Sequence, residues 1–101
     1  MARQIRYSVR ASEEQEKLYE YLLVKFGEIT VIETDQVIEK IKKQLTNMPF
    51  LGKTVKRKNW RLRYVIVKKK LKIYYRINKE YIEIASFRDV RMNPKTLNLK
   101  F

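Results

Sequence analysis

The segment WRLRYVIVKKKLKIYYRINKEYIEIASF, residues 60–87, decides the fold because apolar and polar residues alternate along it. A period of two is typical of β-strands, and it predicts three of them, at residues 60–67, 70–77 and 81–87. The connections between them, Lys68-Lys69 and Asn78-Lys79, are short enough for β-hairpins. This part of the chain therefore predicts an antiparallel sheet.

The alternation divides the side chains of these strands between two faces. One face is predicted to be apolar and to carry Trp60, Leu62, Tyr64, Ile66, Leu71, Ile73, Tyr75, Ile77, Ile82 and Ile84. The opposite face is predicted to be basic and to carry Arg61, Arg63, Lys72, Tyr74 and Arg76. Tyr74 is expected to be exposed there, and Glu83 to pair with Lys72 or Arg76 across the strands.

The N-terminal half changes from strand to helix periodicity. Residues 3–9 alternate as a half-buried strand, and Ser12 then predicts the N-cap of a helix that runs to about Phe26 and ends at Gly27. Thr30 predicts the start of a second helix that ends near Asn47. The order β-α-α-β-β-β predicts an α+β fold in which a two-helix hairpin packs on one face of a twisted antiparallel four-stranded sheet.

Residues 1–101 are expected to form a single domain, because about 100 residues suit one modest core. Residues 92–101 are ambiguous. Leu97, Leu99 and Phe101 alternate, which permits a short additional strand.

The composition excludes several kinds of chemistry. The chain has no cysteine and no histidine, so it has no disulfide, no thiolate or imidazole metal ligand and no imidazole general base. We expect no metal site and no cofactor. No apolar run approaches the length of a membrane span and no signal-peptide core is visible, which predicts a cytoplasmic protein without membrane contact.

The net charge of +13 lies entirely in the second half of the chain. Residues 1–50 contain eight Lys/Arg and eight Asp/Glu, whereas residues 51–101 contain sixteen and three. A field of one sign on one part of a protein attracts phosphate backbones and other acidic partners. The distribution therefore predicts an anionic partner for the basic face.

The candidate site residues follow from that face and its surroundings. Arginines bind phosphates bidentately, and a tyrosine among cations can stack on a base or move a proton, so RNA cleavage is conceivable without histidine. The candidate catalytic residues are Arg61, Arg76 and Tyr74. The candidate residues for binding nucleic acid or another target are Lys56, Arg57, Arg63, Lys72, Arg88 and Arg91.

Four segments together resemble the RelE/ParE superfamily of toxins from type II toxin–antitoxin systems, in its plasmid-stabilisation branch. They are ASEE at 11–14, NMPFLGK at 47–53, KIYYRI at 72–77 and IEIASFRDVRMNP at 82–94. The resemblance covers nearly the whole chain, and the family fold of two helices on an antiparallel sheet agrees with the pattern described above. By position, Arg61 resembles the family's sheet arginine, and Arg76 lies in its Tyr-Arg motif.

The resemblance implies a growth-inhibiting toxin that a cognate antitoxin neutralises in a toxin–antitoxin hetero-oligomer. The antitoxin is expected to supply an acidic segment that folds on the helix hairpin and the basic sheet face. Some members cut mRNA on the ribosome, and others inhibit DNA gyrase without being nucleases. The charge favours mRNA cleavage, which is the expected activity. Phe87 and Asp89 stand where the nucleases keep a tyrosine or histidine, which makes inhibition of gyrase the alternative. A non-toxic member that only binds its antitoxin is the third alternative.

Overall fold

In the computed structural model, which describes residues 3–92, two helices cover one face of a five-stranded sheet. The elements are β1 (Gln4–Tyr7), α1 (Val9–Phe26), α2 (Glu28–Asn47), β2 (Lys53–Lys56), β3 (Asn59–Val67), β4 (Leu71–Ile77) and β5 (Tyr81–Asp89). The predicted α+β class and the two-helix layer are confirmed. The tail strand considered at residues 97–101 lies outside the described residues.

The sheet has one strand more than predicted, and it is mixed. Its order is β1-β5-β4-β3-β2, with β1 parallel to β5 and the other neighbours antiparallel. The additional strand is β2, whose four residues, interrupted by a register shift against β3, are too short to show a period in the sequence. β1 can run parallel to β5 because the helices and the other strands lie between them in the chain.

Both helices begin earlier than the sequence predicted. Ser8 caps α1, since its hydroxyl accepts a hydrogen bond from the Ala11 N–H at 2.9 Å. The same hydroxyl donates to the Ala85 carbonyl at 3.0 Å and thereby fastens the helix start to β5. α2 begins directly after Gly27, whose φ of 96° lets the chain reverse between the helices. The predicted helix ends at Phe26 and Asn47 are confirmed.

The core lies between the helices and the sheet. Its fully buried side chains include Leu18 and Leu22 of α1, Ile38 and Leu45 of α2, Ile73 and Tyr75 of β4, and Ile82 and Ile84 of β5. Within residues 3–92, no helix has the length and apolar composition that a membrane span needs.

The predicted faces of β3 are inverted. Directly opposed residues of antiparallel strands share a face, and Arg63 opposes Tyr75, which is completely buried under the helices. Val65 opposes Ile73 on the same side. Leu62, Tyr64 and Ile66 therefore lie on the face away from the helices, which we call the open face, opposite Arg76, Tyr74 and Lys72.

The connection between β3 and β4 explains the inversion. The sequence suggested a two-residue loop, but Val67 pairs with Leu71, so three residues, Lys68 to Lys70, form the connection. A shift of one residue in register moves every side chain of a strand to the other face. Periodicity could not decide which face of β3 packs against the helices. Val65 and Val67 form an apolar face on one side of the strand, and their neighbours form another on the opposite side.

The Tyr75 hydroxyl connects the sheet to the loop that follows α2. It donates to the Pro49 carbonyl and accepts from the Gly52 N–H, both at 2.8 Å. Burial raises the pKa of Tyr75, so the hydroxyl keeps the proton that it donates. A Cβ on Gly52 would lie 2.7 Å from this oxygen and 2.6 Å from the Tyr64 carbonyl oxygen, so only glycine fits there.

Removal of this hydroxyl tests its structural role. We expect Tyr75→Phe to lower the free energy of unfolding by about 1–3 kcal/mol, because the buried Gly52 N–H loses its acceptor. Urea denaturation followed by circular dichroism measures the change. The control, Tyr81→Phe on a partly exposed ring, should stay within about 0.5 kcal/mol of the parent. Equal stability of Tyr75→Phe and the parent would contradict the assignment.

The lysine turn between β3 and β4 is conformationally strained. Lys68 and Lys69 have φ values of 52° and 62°, and the Lys70 N–H bonds to the Val67 carbonyl at 3.1 Å, as in a type I′ turn. We expect the double substitution Lys68→Asn with Lys69→Gly to raise the free energy of unfolding by about 1–2 kcal/mol, because these residues adopt positive φ at lower cost.

The matched control for the turn is Lys58→Gly, which removes one lysine where φ is not positive. It should not stabilise the protein, because glycine adds backbone entropy to the unfolded chain. A double variant no more stable than the parent in urea denaturation would show that the turn is not strained.

Candidate nucleic-acid interface

The open face consists of cross-strand rows of side chains. One row runs from Leu62 through Arg76 and Glu83 to Arg6, and thus spans four strands. A second row joins Tyr64, Tyr74 and Ser86, and a third joins Ile66, Lys72 and Arg88. Lys53 of β2 extends the second row, since it pairs with Tyr64. The cations of the open face in these rows are Arg6, Lys53, Lys72, Arg76 and Arg88.

Glu83 is the acid of these rows, and it pairs with Arg76. Arg76 Nη1 lies 3.2 Å from Glu83 Oε1, and the two residues are directly opposite in the register of β4 and β5. The predicted role of Glu83 as a cross-strand partner is confirmed. Because both side chains remain partly exposed, the pair contributes at most about 1 kcal/mol, and its main effect is to offset one positive charge.

Two tyrosines of the open face lie against cations. The Lys72 ammonium is 5.1 Å from the centre of the Tyr64 ring, and the Arg6 guanidinium is 4.4 Å from that of Tyr81. Both rings are partly exposed. A cation held over an aromatic ring remains available to a phosphate, so these pairs can bind an anion and stack on a base.

Tyr74, a predicted catalytic residue, was expected to be exposed, but it is buried. Only 6% of its surface is accessible, and its ring packs against Tyr64 with the centroids 5.9 Å apart. Its partner in β5 is Ser86, next to a register shift between β4 and β5. Strand alternation placed Tyr74 on the correct face, but alternation alone does not reveal burial by neighbours on that face.

Arg61 and Arg63 do not share the open face with Lys72 and Arg76, which corrects the predicted basic face. Arg63 stabilises the loop after α2: its Nη1 donates to the Gly52 carbonyl at 2.8 Å, and its Nε donates to the Trp60 carbonyl at 2.7 Å. Arg61 alternates with it on the same side of β3 and lies exposed beside Trp60. The register of β3 places them there.

Arg91 forms a clamp after β5 and does not extend the open face. Its Nε and Nη2 donate to the two oxygens of Asp89 at 2.8 and 2.6 Å, and Asp89 is only 1% exposed. This bidentate hydrogen bond raises the pKa of Arg91. The Tyr21 hydroxyl also donates to the Arg91 carbonyl, so the clamp joins β5 to α1. The Asp-Val-Arg sequence therefore has a structural role.

The remaining predicted binding residues form a second basic region. Lys56 and Arg57 are exposed at the connection between β2 and β3, next to Lys58. The structure thus brings together Lys72, Arg76 and Arg88 on the open face and separates Lys56 and Arg57 from them. Their roles in binding or catalysis stay predictions.

Sequence reasoning missed Arg6 and Tyr64 as members of the open face. Arg6 was on the polar side of the predicted first strand, but no sequence pattern showed that this strand pairs with β5. Tyr64 was assigned to the apolar face by the error in register. Among residues 3–92, no group of three or more Asp or Glu side chains is arranged to hold a metal ion.

The comparisons with known proteins agree with this architecture. Residues 5–94 match the family model described as the ParE toxin of the type II toxin–antitoxin system parDE. No curated protein sequence matches the chain. The chromosomal ParDE system from P. aeruginosa has a similar structure, with a TM-score of 0.71 and 16% identity over 88% of this chain and 97% of that one.

Two further solved structures are similar. The RelBE2 toxin–antitoxin complex from Mycobacterium tuberculosis gives a TM-score of 0.62 at 17% identity, covering 88% of this chain and 99% of that chain. The E. coli DinJ-YafQ complex gives 0.60 at 10% identity, covering 88% and 93%. At these identities the structures support the fold, whereas the family model covers most of the sequence. The chain therefore belongs to the ParE toxin family of type II toxin–antitoxin systems, within the RelE/ParE superfamily.

Proposed function

We propose that this protein arrests growth by binding its target, DNA gyrase, and not by cleaving RNA. The observation that carries the proposal is the environment of Phe87 and Asp89, which stand where the nucleases of the superfamily keep a tyrosine or histidine. Phe87 is buried in the core, and Asp89 is held by Arg91. Neither side chain can reach a substrate on the open face.

The open face binds anions better than it moves protons. Cleavage of an RNA backbone requires a base for the 2′-hydroxyl and an acid for the leaving oxygen. The chain has no histidine, Tyr74 is buried, and Glu83 is engaged by Arg76. Arg6, Lys72 and Arg88 supply positive charge, which suffices for binding phosphate or carboxylate groups.

Ribosome-dependent cleavage of mRNA is the second candidate function, and one observation favours it. Tyr64 and Tyr81 are partly exposed, with Lys72 and Arg6 against their rings. Each ring is accessible to a substrate and lies beside a cation that can bind a phosphate, so one of them could take the place that Tyr74 was expected to fill. The net charge of +13 also suits contact with RNA.

Parallel assays of gyrase and of translation separate these functions. We expect purified protein at micromolar concentration to inhibit supercoiling by gyrase and to trap cleaved DNA. We expect primer extension to show intact mRNA after the protein is added to a reconstituted translation system. Cuts at ribosomal A-site codons with unaffected gyrase would replace the proposal by mRNA cleavage.

Expression in growing cells provides the remaining control. The parent protein should arrest growth, and supercoiling should fail in the same cells. Normal growth at confirmed expression of folded protein would contradict a toxin of either kind and favour a non-toxic member that only binds its antitoxin.

A cognate antitoxin is the partner that we propose for this chain. The solved relatives include toxin–antitoxin complexes from Mycobacterium tuberculosis and E. coli, and the ParDE system is likewise a toxin–antitoxin pair. An acidic antitoxin segment would find complementary charge on the open face, in a hetero-oligomer that blocks access to the target. Such masking needs no change in the toxin fold.

Removal of two opposed cations tests the role of the open face. Lys72 and Arg88 are partners in the register of β4 and β5. We expect the Lys72→Ala/Arg88→Ala double variant to inhibit its target about tenfold less, since two charges are lost from the binding surface. The measurement is the inhibitor concentration that halves gyrase supercoiling.

The matched control removes two exposed lysines from the helices, Lys17→Ala and Lys40→Ala. It lowers the net charge by the same amount and should change inhibition less than about twofold. Equal losses in both double variants would show that the total charge, and not the open face, determines inhibition.

A further inference from the structure

Two aromatic side chains outside the cross-strand rows of the open face are exposed side by side. Phe50, in the loop after α2, is 57% exposed, and Trp60, at the start of β3, is 48% exposed. Their ring centroids are 5.9 Å apart, and the ring planes are inclined by 32°. Exposed neighbouring aromatics are unusual enough in a soluble protein to indicate a binding surface. We call these two residues the aromatic pair.

Each ring of the aromatic pair carries an arginine. The Arg61 guanidinium is 5.1 Å from the centre of the Trp60 ring, and that of Arg63 is 4.8 Å from the Phe50 ring. Arg63 is fixed by its hydrogen bonds to the Gly52 and Trp60 carbonyls. The rings are therefore held in place before any ligand binds, which lowers the entropy cost of stacking on them.

The surroundings of the aromatic pair are basic. Residues 53–63 contain six Lys/Arg and no acid, and Lys56, Arg57 and Lys58 are exposed at the tip of the β2–β3 hairpin. Trp60 and Arg61 also line a surface depression together with two further cations, Arg3 and Lys79. Cations that can bind phosphate groups therefore lie around the aromatic pair.

We propose that the aromatic pair and the β2–β3 hairpin bind single-stranded nucleic acid. Unpaired bases stack on Phe50 and Trp60, and the adjoining backbone phosphates contact Lys56, Arg57 and Lys58. Duplex bases have no free faces for such stacking. An acidic peptide would use the cations but gains less from the flat rings, so the combination favours bases.

The aromatic pair is not part of the cross-strand rows of the open face, and its binding does not depend on whether the toxin acts on gyrase or on mRNA. Binding to isolated oligonucleotides requires neither target. A protein that does not bind oligonucleotides would not contradict the proposed function. A protein that does not inhibit gyrase would not contradict this binding site.

Trp60 is the single tryptophan of the chain, so its fluorescence reports directly on the site. The probes are an oligouridylate and an oligothymidylate of about 12 nucleotides, a duplex of equal length, and poly-glutamate. We expect saturable quenching by both single strands that weakens as salt rises. The duplex and poly-glutamate should need at least about tenfold higher concentration for half of that quenching.

Quenching by the duplex at equal concentration would overturn the stacking mechanism. Equal quenching by poly-glutamate would overturn the choice of ligand and assign the surface to an acidic protein segment. If neither single strand quenches the fluorescence, the proposed binding site is wrong.

Substitution of Trp60 removes the fluorescence signal, so binding by the variants is measured by a second method. In anisotropy titrations with a labelled oligouridylate, Trp60→Leu and Phe50→Leu should each weaken binding at least about fivefold, because they keep an apolar side chain but lose the ring. Trp60→Phe keeps a ring and should stay within about threefold of the parent. Circular dichroism checks that each variant is folded.

The matched control is Leu23→Ala, which truncates a side chain of similar exposure, 52%, on α1. It should bind within about twofold of the parent. The Lys56→Ala/Arg57→Ala variant should bind more weakly and with a smaller salt dependence, because phosphate contacts are lost. Parent-like affinity of folded Trp60→Leu, or an equal loss in Leu23→Ala, would overturn the proposal.

Discussion

The register of β3 against β4 is the constraint on which the functional surfaces of this protein depend. Val67 opposes Leu71 across a three-residue lysine turn, and from there each pair along the strands is determined. Arg63 is directed toward the helices opposite Tyr75, whereas Tyr64 joins Tyr74 on the open face. The turn adopts a left-handed backbone at two lysines, so the protein keeps this register despite a local conformational cost.

The basic residues of the second half have two different tasks. Arg63 and Arg91 are structural: one holds the loop at residues 49–52, and the other clamps Asp89 and joins β5 to α1. Lys72 and Arg88 lie opposite one another on the open face, where they remain available to a partner. A large positive net charge is therefore not equivalent to a large binding surface, because guanidinium groups also satisfy backbone carbonyls.

The two helices carry eight Asp/Glu against six Lys/Arg, whereas most of the cations lie on the sheet and its hairpins, so the two layers of the protein differ in charge. Such a separation orients an anionic partner toward the sheet before contact. It also suits neutralisation by an acidic segment, which would cover the same surface. The buried Tyr74 and Phe87 and the clamped Asp89 make this surface better suited to binding than to proton transfer.

The sequence by itself determined the class of fold, the two helices with their ends at Phe26 and Asn47, the strands β3 to β5, the excess of positive charge and the family. These features follow from the local hydrophobic periodicity, from the position of glycine and from the composition, none of which depends on distant contacts. Tertiary structure alone decided the faces of β3, the burial of Tyr74 and the pairing of β1 with β5. Each depends on a register or a neighbour contributed by another part of the chain, and an alternation that is apolar on both sides of a strand does not contain that information.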